Sequence, residues 1–263
     1  MPSESEIEDL PTRGSMRLRG AEVSRLETFV DAAFAFALTL LVISFDELPA
    51  SYSELAEALR SIPAFAASFV IIVMFWIAHR NWSQRYGLDD GLSTIISLSL
   101  VFVIMVYVYP LRSMMAAAMS AITGGWVPST FTLESTDEGR SLYTLFGVGF
   151  TTASSCIVLL NVRALSFADA LGLNAIERYI TRAEIAAWSI VGSFGVLSAS
   201  LAWLMPARTI GLAGWSYALL GLIMPIFGRV SRRRAGRYRD PESPAASGSA
   251  TDNADCGQGD ITE

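Results

Sequence analysis

Six stretches of this 263-residue chain are nearly free of charge for about the length of a bilayer crossing, and no other feature constrains its fold as strongly. They are Phe29–Phe45, Ile62–Ala78, Leu92–Leu111, Leu142–Val162, Ile185–Met205 and Ile210–Phe227. A bilayer core about 30 Å thick requires roughly 20 helical residues at 1.5 Å each. The first, second and last runs are short of that, so they draw on flanking residues or lie tilted or submerged. Segments alternating with a period of two, which build outer-membrane barrels, are missing. Hydrophobic residues make up 52% of the chain and charged residues 17%, a balance foreign to ordinary soluble domains. The first run reads as a span rather than a signal peptide, because about 25 mostly polar residues precede it and no small-residue cleavage site follows. The predicted class is an all-α, polytopic membrane protein with six transmembrane helices.

The arginines give the orientation. All 19 basic residues are arginine, and with a cytoplasmic amino terminus fifteen fall in inside segments. The outside segments hold only Arg60, Arg112, Arg140 and Arg208, so both termini are predicted to be cytoplasmic. Three regions follow: an amino-terminal cytoplasmic segment (1–24, partly disordered), a six-helix membrane domain (25–228), and a basic, then acidic, disordered tail (229–263). Disorder is expected over 1–15 and 240–263, which are rich in Ser, Gly, Asp and Glu and have little to bury. Ser51 with Glu54 forms a capping-box pattern, and Leu55, Ala58, Leu59 and Ile62 share a face, predicting a short interfacial helix before the second span. A second amphipathic stripe (Ala168, Leu171, Ala175, Ile176, Tyr179), opposed by Asp169, Glu177 and Arg178, predicts another surface helix. The arginine run from Arg229 to Arg239 serves as a topology signal, with anionic lipid binding as the alternative.

Little in the sequence suggests catalysis. Cys156 and Cys256 stand in an apolar run and a polar tail, so no disulfide framework is expected. A single histidine leaves little for a metal site, and H-E-x-x-H, G-x-S-x-G and P-loop patterns are absent. The net charge of −6 argues against nucleic acid as a partner. Neither an enzyme, nor a cofactor, nor a small-molecule substrate is predicted. Inside the six runs one ionisable residue remains, Asp31. It is expected in the first turn of its helix, where the macrodipole favours an anion. The second span runs antiparallel to the first, so Trp76, His79 and Arg80 should lie at the depth of Asp31. Arg25, six positions earlier, is too far round a regular helix for a direct pair. Such a cluster is either an ion-paired lock between two helices or a network linked to pH or gating.

These residues resemble a known family. Arg25-Leu-Glu-Thr-Phe29-Val30-Asp31, followed by Ala35, Thr39 and Leu40-Leu41-Val42, is similar to the first-helix signature R-x-x-x-F-S-D of the transmembrane protein 175 family. Trp76 and His79 resemble its aromatic–histidine element. The residue-level likeness covers about residues 25–82, and the plan of six spans extends it. The all-arginine basic set, with a cytoplasmic amino terminus lacking a targeting peptide, suits a bacterial inner membrane. The resemblance implies a potassium-permeable cation channel, a homotetramer whose first helices line a central pore. It has no T-V-G-Y-G filter; its constriction is a hydrophobic ring with a threonine. By position, Phe36, Thr39 and Ile43 would line that pore, and Arg25, Phe29, Asp31, Trp76 and His79 would form the motif network. Helical spacing independently permits Phe36, Thr39 and Ile43 on one face, but spacing alone favours plain lipid or helix contact for Phe36 and Ile43, and the motif match is what reverses that weighting. Asp46 and Glu47 would ring the outer mouth and concentrate cations, or else cap a solvated helix end. Two positions depart from the family pattern: Val30 replaces its serine, and Phe36 replaces a medium aliphatic residue.

Potassium is thus the expected permeant ion, with the bilayer and further copies of the chain as partners. Two other readings stay open. In a non-conducting membrane interaction protein, small-residue faces such as Gly192, Gly195, Ser198 and Ala199 would serve packing alone. A small-solute transporter would need polar groups at mid-membrane, which the spans lack.

Overall fold

Four of the six apolar runs become helices that begin before the run, while the second begins at Ile62 itself and the last at Leu212. The second, third, fourth and last end beyond their runs. The computed structural model describes residues 10–20, 22–43, 50–129 and 135–236. The chain opens with a small hairpin, β1 (Thr12–Arg13) against β2 (Met16–Arg17), turned at Gly14 with φ 67°. Eight α-helices follow among the described residues: α1 (Arg25–Ile43), α2 (Tyr52–Arg60), α3 (Ile62–Tyr86), α4 (Gly91–Ile122), α5 (Thr136–Ser166), α6 (Ala175–Leu204), α7 (Leu212–Trp215) and α8 (Ala218–Ala235). A 3-10 turn at Ala207–Thr209 precedes α7. The segments α3, α4, α5, α6 and Leu212–Ala235 are each long and apolar enough to cross a membrane. With 19 residues, α1 reaches about 28 Å. This is a multi-pass membrane protein.

Local chemistry sets the helix ends. Asp90 caps α4 by accepting from the Leu92 amide, and Ser135 caps α5 by accepting from Glu138. Gly87 ends α3 in the left-handed conformation at φ 56°, which a residue with a Cβ rarely adopts. The expected interfacial helix is α2, capped by Ser51, with Leu55 and Leu59 exposed. The second predicted surface helix does not form. Residues 167–172 are turns instead, with Ala168 buried, and Ala175–Tyr179 already belong to α6. Part of the segment expected to be disordered, Thr12–Ser15, is ordered in the hairpin. The tail beyond Gly236, with Arg237 and Arg239, lies outside the described residues.

The tightest seam joins α5 and α6 through glycine. A Cβ on Gly195 would meet the Gly147 carbonyl at 2.5 Å, and a Cβ on Gly192 would meet Ser154 at 3.0 Å. Thr151 donates its hydroxyl across the seam to the Gly192 carbonyl at 2.9 Å. Small residues let two backbones approach where lipid supplies no hydrophobic drive. The Gly192–Gly195 face is thus used within the chain. Against this pair stand α3 and α4, with Trp82 donating to the Leu160 carbonyl at 2.8 Å and Phe75 edge-on to Phe150. On one flank α1 packs on α3 and α4, and on the other α8 packs on α6.

The α3–α4 and α5–α6 connections lie at one arginine-rich end, together with the hairpin. There Glu177, fully buried in the capping box of α6, accepts from both terminal nitrogens of Arg19 at 3.1 and 2.8 Å, and from the Arg17 amide at 2.9 Å. The hairpin is thereby tied to α6, and the Gly20 amide donates to the Gln84 carbonyl of α3 at 3.1 Å. Glu177 had been expected on a solvated face. A charge so deeply buried is tolerated because each oxygen finds donors.

Candidate functional site

The helix α1 starts one turn earlier than its apolar run because Ser24 caps it, its hydroxyl accepting from the Glu27 amide at 3.1 Å. Asp31 therefore sits almost two turns in, where the macrodipole has faded. Its partner is instead the Trp76 indole, which donates to Oδ1 at 2.7 Å. The Arg80 guanidinium lies 5.4 Å from the centroid of that same indole ring. A hydrogen bond to a charged acceptor is worth about 1.5–3 kcal/mol, so one indole N–H offsets much of the cost of placing a carboxylate there.

His79 does not join Asp31, as its position on α3 had suggested. It is buried and faces α4, where Nε2 lies 3.0 Å from the Ser97 hydroxyl. A second carboxylate went unnoticed in the sequence: Glu27 is buried and accepts from the Ser83 hydroxyl of α3 at 3.1 Å. The spacing of Ser24 and Glu27, a capping-box pattern, was the available signal. Two hydrogen bonds to carboxylates, from Trp76 and Ser83, thus pin α1 to α3.

The two faces of α1 differ sharply. Val30, Ala33, Phe34, Ala37 and Leu41 are buried against α3 and α4. On the other side Arg25, Thr28, Phe29, Ala32, Ala35, Phe36, Thr39 and Val42 form one continuous exposed stripe. Phe36 is 52% exposed, and the Thr39 hydroxyl donates to its carbonyl at 2.7 Å. That bond uses the only hydroxyl hydrogen and leaves oxygen lone pairs toward the uncovered side. Phe36 and Thr39 therefore share a face, as the spacing suggested. Asp31 and Trp76 meet, while Arg25 and Phe29 lie on the exposed stripe, and Arg25 has no ion-pair partner among the described residues. The side chain of Ile43, and Asp46 and Glu47 entirely, lie outside the described residues.

At the arginine-rich end, Asp90 receives Arg163 at 2.9 and 3.1 Å. Burial pushes its carboxyl upward, but hydrogen bonds from Ser93 and Arg163, the Arg163 charge and the Leu92 amide together hold it below the ordinary aspartate value. Among the described residues no group of histidine, cysteine and carboxylate side chains is arranged to hold a metal ion.

Residues 25–110 match the family described as endosomal/lysosomal potassium channel TMEM175. A potassium channel of Marivirga tractuosa is 32% identical over 232 residues, spanning 83% of this chain and 92% of the relative. A crystal structure of a variant of the potassium channel MtTMEM175, in complex with a nanobody–MBP fusion protein, superposes with a TM-score of 0.71 at 30% identity. It covers 85% of this chain and the whole of that chain. With the first-helix motif, the α1–α3 anchor and a relative aligned over nearly its full length, the chain belongs to the TMEM175 family.

Proposed function

We propose that this chain is a potassium-permeable channel of a bacterial inner membrane, working as a homotetramer of six-span subunits with both termini in the cytoplasm. Four copies of α1 turn their exposed stripes to a common axis, and Phe36, Thr39 and Ile43 form the narrow part. The uncovered Phe36–Thr39 stripe, on a helix firmly anchored on its opposite face, carries the proposal. The potassium-channel relatives support the choice of ion.

Such a constriction works by dehydration. A ring of phenyl groups offers an ion nothing in exchange for its water, so it closes by dewetting and grades ions by how tightly they hold their shell. Potassium holds water less tightly than sodium and pays less to pass. The Thr39 oxygens, their hydrogens turned back to the Phe36 carbonyls, present only acceptors, which suits a cation. Asp46 and Glu47 would raise the local cation concentration at the outer mouth. The Asp31–Trp76 and Glu27–Ser83 bonds set the rotation of α1 and hence which residues face the axis.

Purified protein in liposomes tests this reading. Potassium flux above that of empty vesicles is expected, increased by Phe36→Ala. No flux from either protein overturns it.

A further inference from the structure

The arginine-rich end contains a cavity of about 540 Å³ that the channel reading does not use. It is built from parts far apart in sequence: the β-hairpin, the end of α3, the first turns of α6 and the second half of α8. Part of its wall is apolar, with Ile180 and Ala187 from α6 and Met224 and Phe227 from α8. Around the same cavity stand three arginines, Arg13 of the hairpin, Arg85 of α3 and Arg232 of α8, against one carboxylate, Glu184. That carboxylate is already engaged, since Arg85 reaches it at 3.0 Å. Arg13 and Arg232 are exposed and make no ion pair among the described residues. From Arg232 back to Met224 is eight residues, about 12 Å along the axis of α8.

We infer that this cavity binds one anionic phospholipid, its phosphate held by Arg13 and Arg232 and its glycerol and upper acyl chains against α6 and α8. Charge and shape select this occupant. Two uncommitted guanidiniums favour a phosphate, which Arg recognises through paired N–H donors. A soluble anion would leave the apolar wall unmatched, and a zwitterionic lipid would bring its own cation to the arginines. Because the hairpin supplies Arg13 and is itself tied to α6 through Glu177, a bound lipid bridges the amino-terminal segment and the last helix. The neighbouring Arg233 and Arg234 do not line the cavity and act only as general surface charge.

Native mass spectrometry of the full-length protein in detergent, titrated with phosphatidylglycerol or phosphatidylcholine of identical acyl chains, tests the site. One phosphatidylglycerol per chain is expected to bind roughly tenfold or more tightly than phosphatidylcholine, as two arginines at a lipid surface allow. Arg13→Gln with Arg232→Gln should erase that preference, whereas Arg233→Gln with Arg234→Gln should leave it. Ala187→Trp, which fills the apolar end, should weaken both lipids. Equal binding of the two lipids by the unaltered protein overturns the site. So does an equal loss in both arginine pairs, or full displacement by glycerol 3-phosphate, which marks a soluble-anion site.

Discussion

The helices α1 and α8 flank opposite sides of the bundle, and each leaves one side bare, but with different residues. The bare side of α8 carries Leu219, Leu222, Ile226 and Val230, large aliphatic groups suited to acyl chains. The bare side of α1 mixes two alanines, two threonines, two phenylalanines, a valine and an arginine. Small and hydroxyl-bearing residues let helices approach one another or face water, and they waste contact area against lipid. The anchoring differs as well. Hydrogen bonds to the carboxyl groups of Asp31 and Glu27 tie α1 down, whereas α8 has no buried residue among those described and is reached by a long bond from the Tyr179 hydroxyl to the Ser231 carbonyl at 3.3 Å. On the proposed reading, the fixed rotation of α1 turns its bare side to the pore axis, and α8 turns its own to lipid.

The comparison can be broken most completely at the scaffold beneath both helices. Gly195→Leu places a side chain where the Gly147 carbonyl stands and is expected to abolish folded protein, seen as loss of a monodisperse peak in detergent gel filtration. Trp76→Phe probes the α1 anchor by leaving the Asp31 carboxylate without its donor, at an expected cost of about 2–3 kcal/mol in thermal unfolding. The matching change under α8, Tyr179→Phe, should cost about 1 kcal/mol or less. Equal losses would mean that α1 is no more firmly held than α8. Phe36→Ala should raise potassium flux on the order of tenfold, the response to a barrier lowered by about 1.4 kcal/mol, while Leu222→Ala leaves it unchanged.

The smallest effect lies away from both stripes. Asp90 is held below its ordinary value, so its contribution is complete above the unfolded value of 3.8 and fades as pH falls through the lower folded value. For a pair this solvent-accessible, Asp90→Asn should remove no more than about 1 kcal/mol near neutral pH and flatten the acid limb of a melting-temperature profile.

What the sequence revealed follows the range of the physics behind each element. The runs that became α3 to α6 were legible because each satisfies its own backbone and shows its apolar content locally. Their ends were not, since Arg85 and Tyr86 continue α3 through polar residues whose partners, Glu184 and Thr181, lie on α6. The α2 cap could be read from Ser51 and Glu54, three residues apart. The burial of Glu177 could not, because its partner Arg19 is 158 residues away. Asp31 stood out as a charge in an apolar run, yet its partner needed the relative rotation of two helices, which periodicity leaves free. That rotation chose Trp76 for Asp31 and sent His79 to Ser97. The shared face of Phe36 and Thr39 was legible from spacing; what lies opposite that face is not set by the periodicity of one helix.

Oxidative crosslinking compares the two bare stripes directly. In a background carrying Cys156→Ser and Cys256→Ser, Phe36→Cys and Leu222→Cys each place one thiol at a comparably exposed position, 52% and 63% in the single chain. The account predicts that membranes treated with copper phenanthroline give covalent dimers through position 36 and monomers through position 222. Dimers through position 222, with position 36 remaining monomeric, would contradict it.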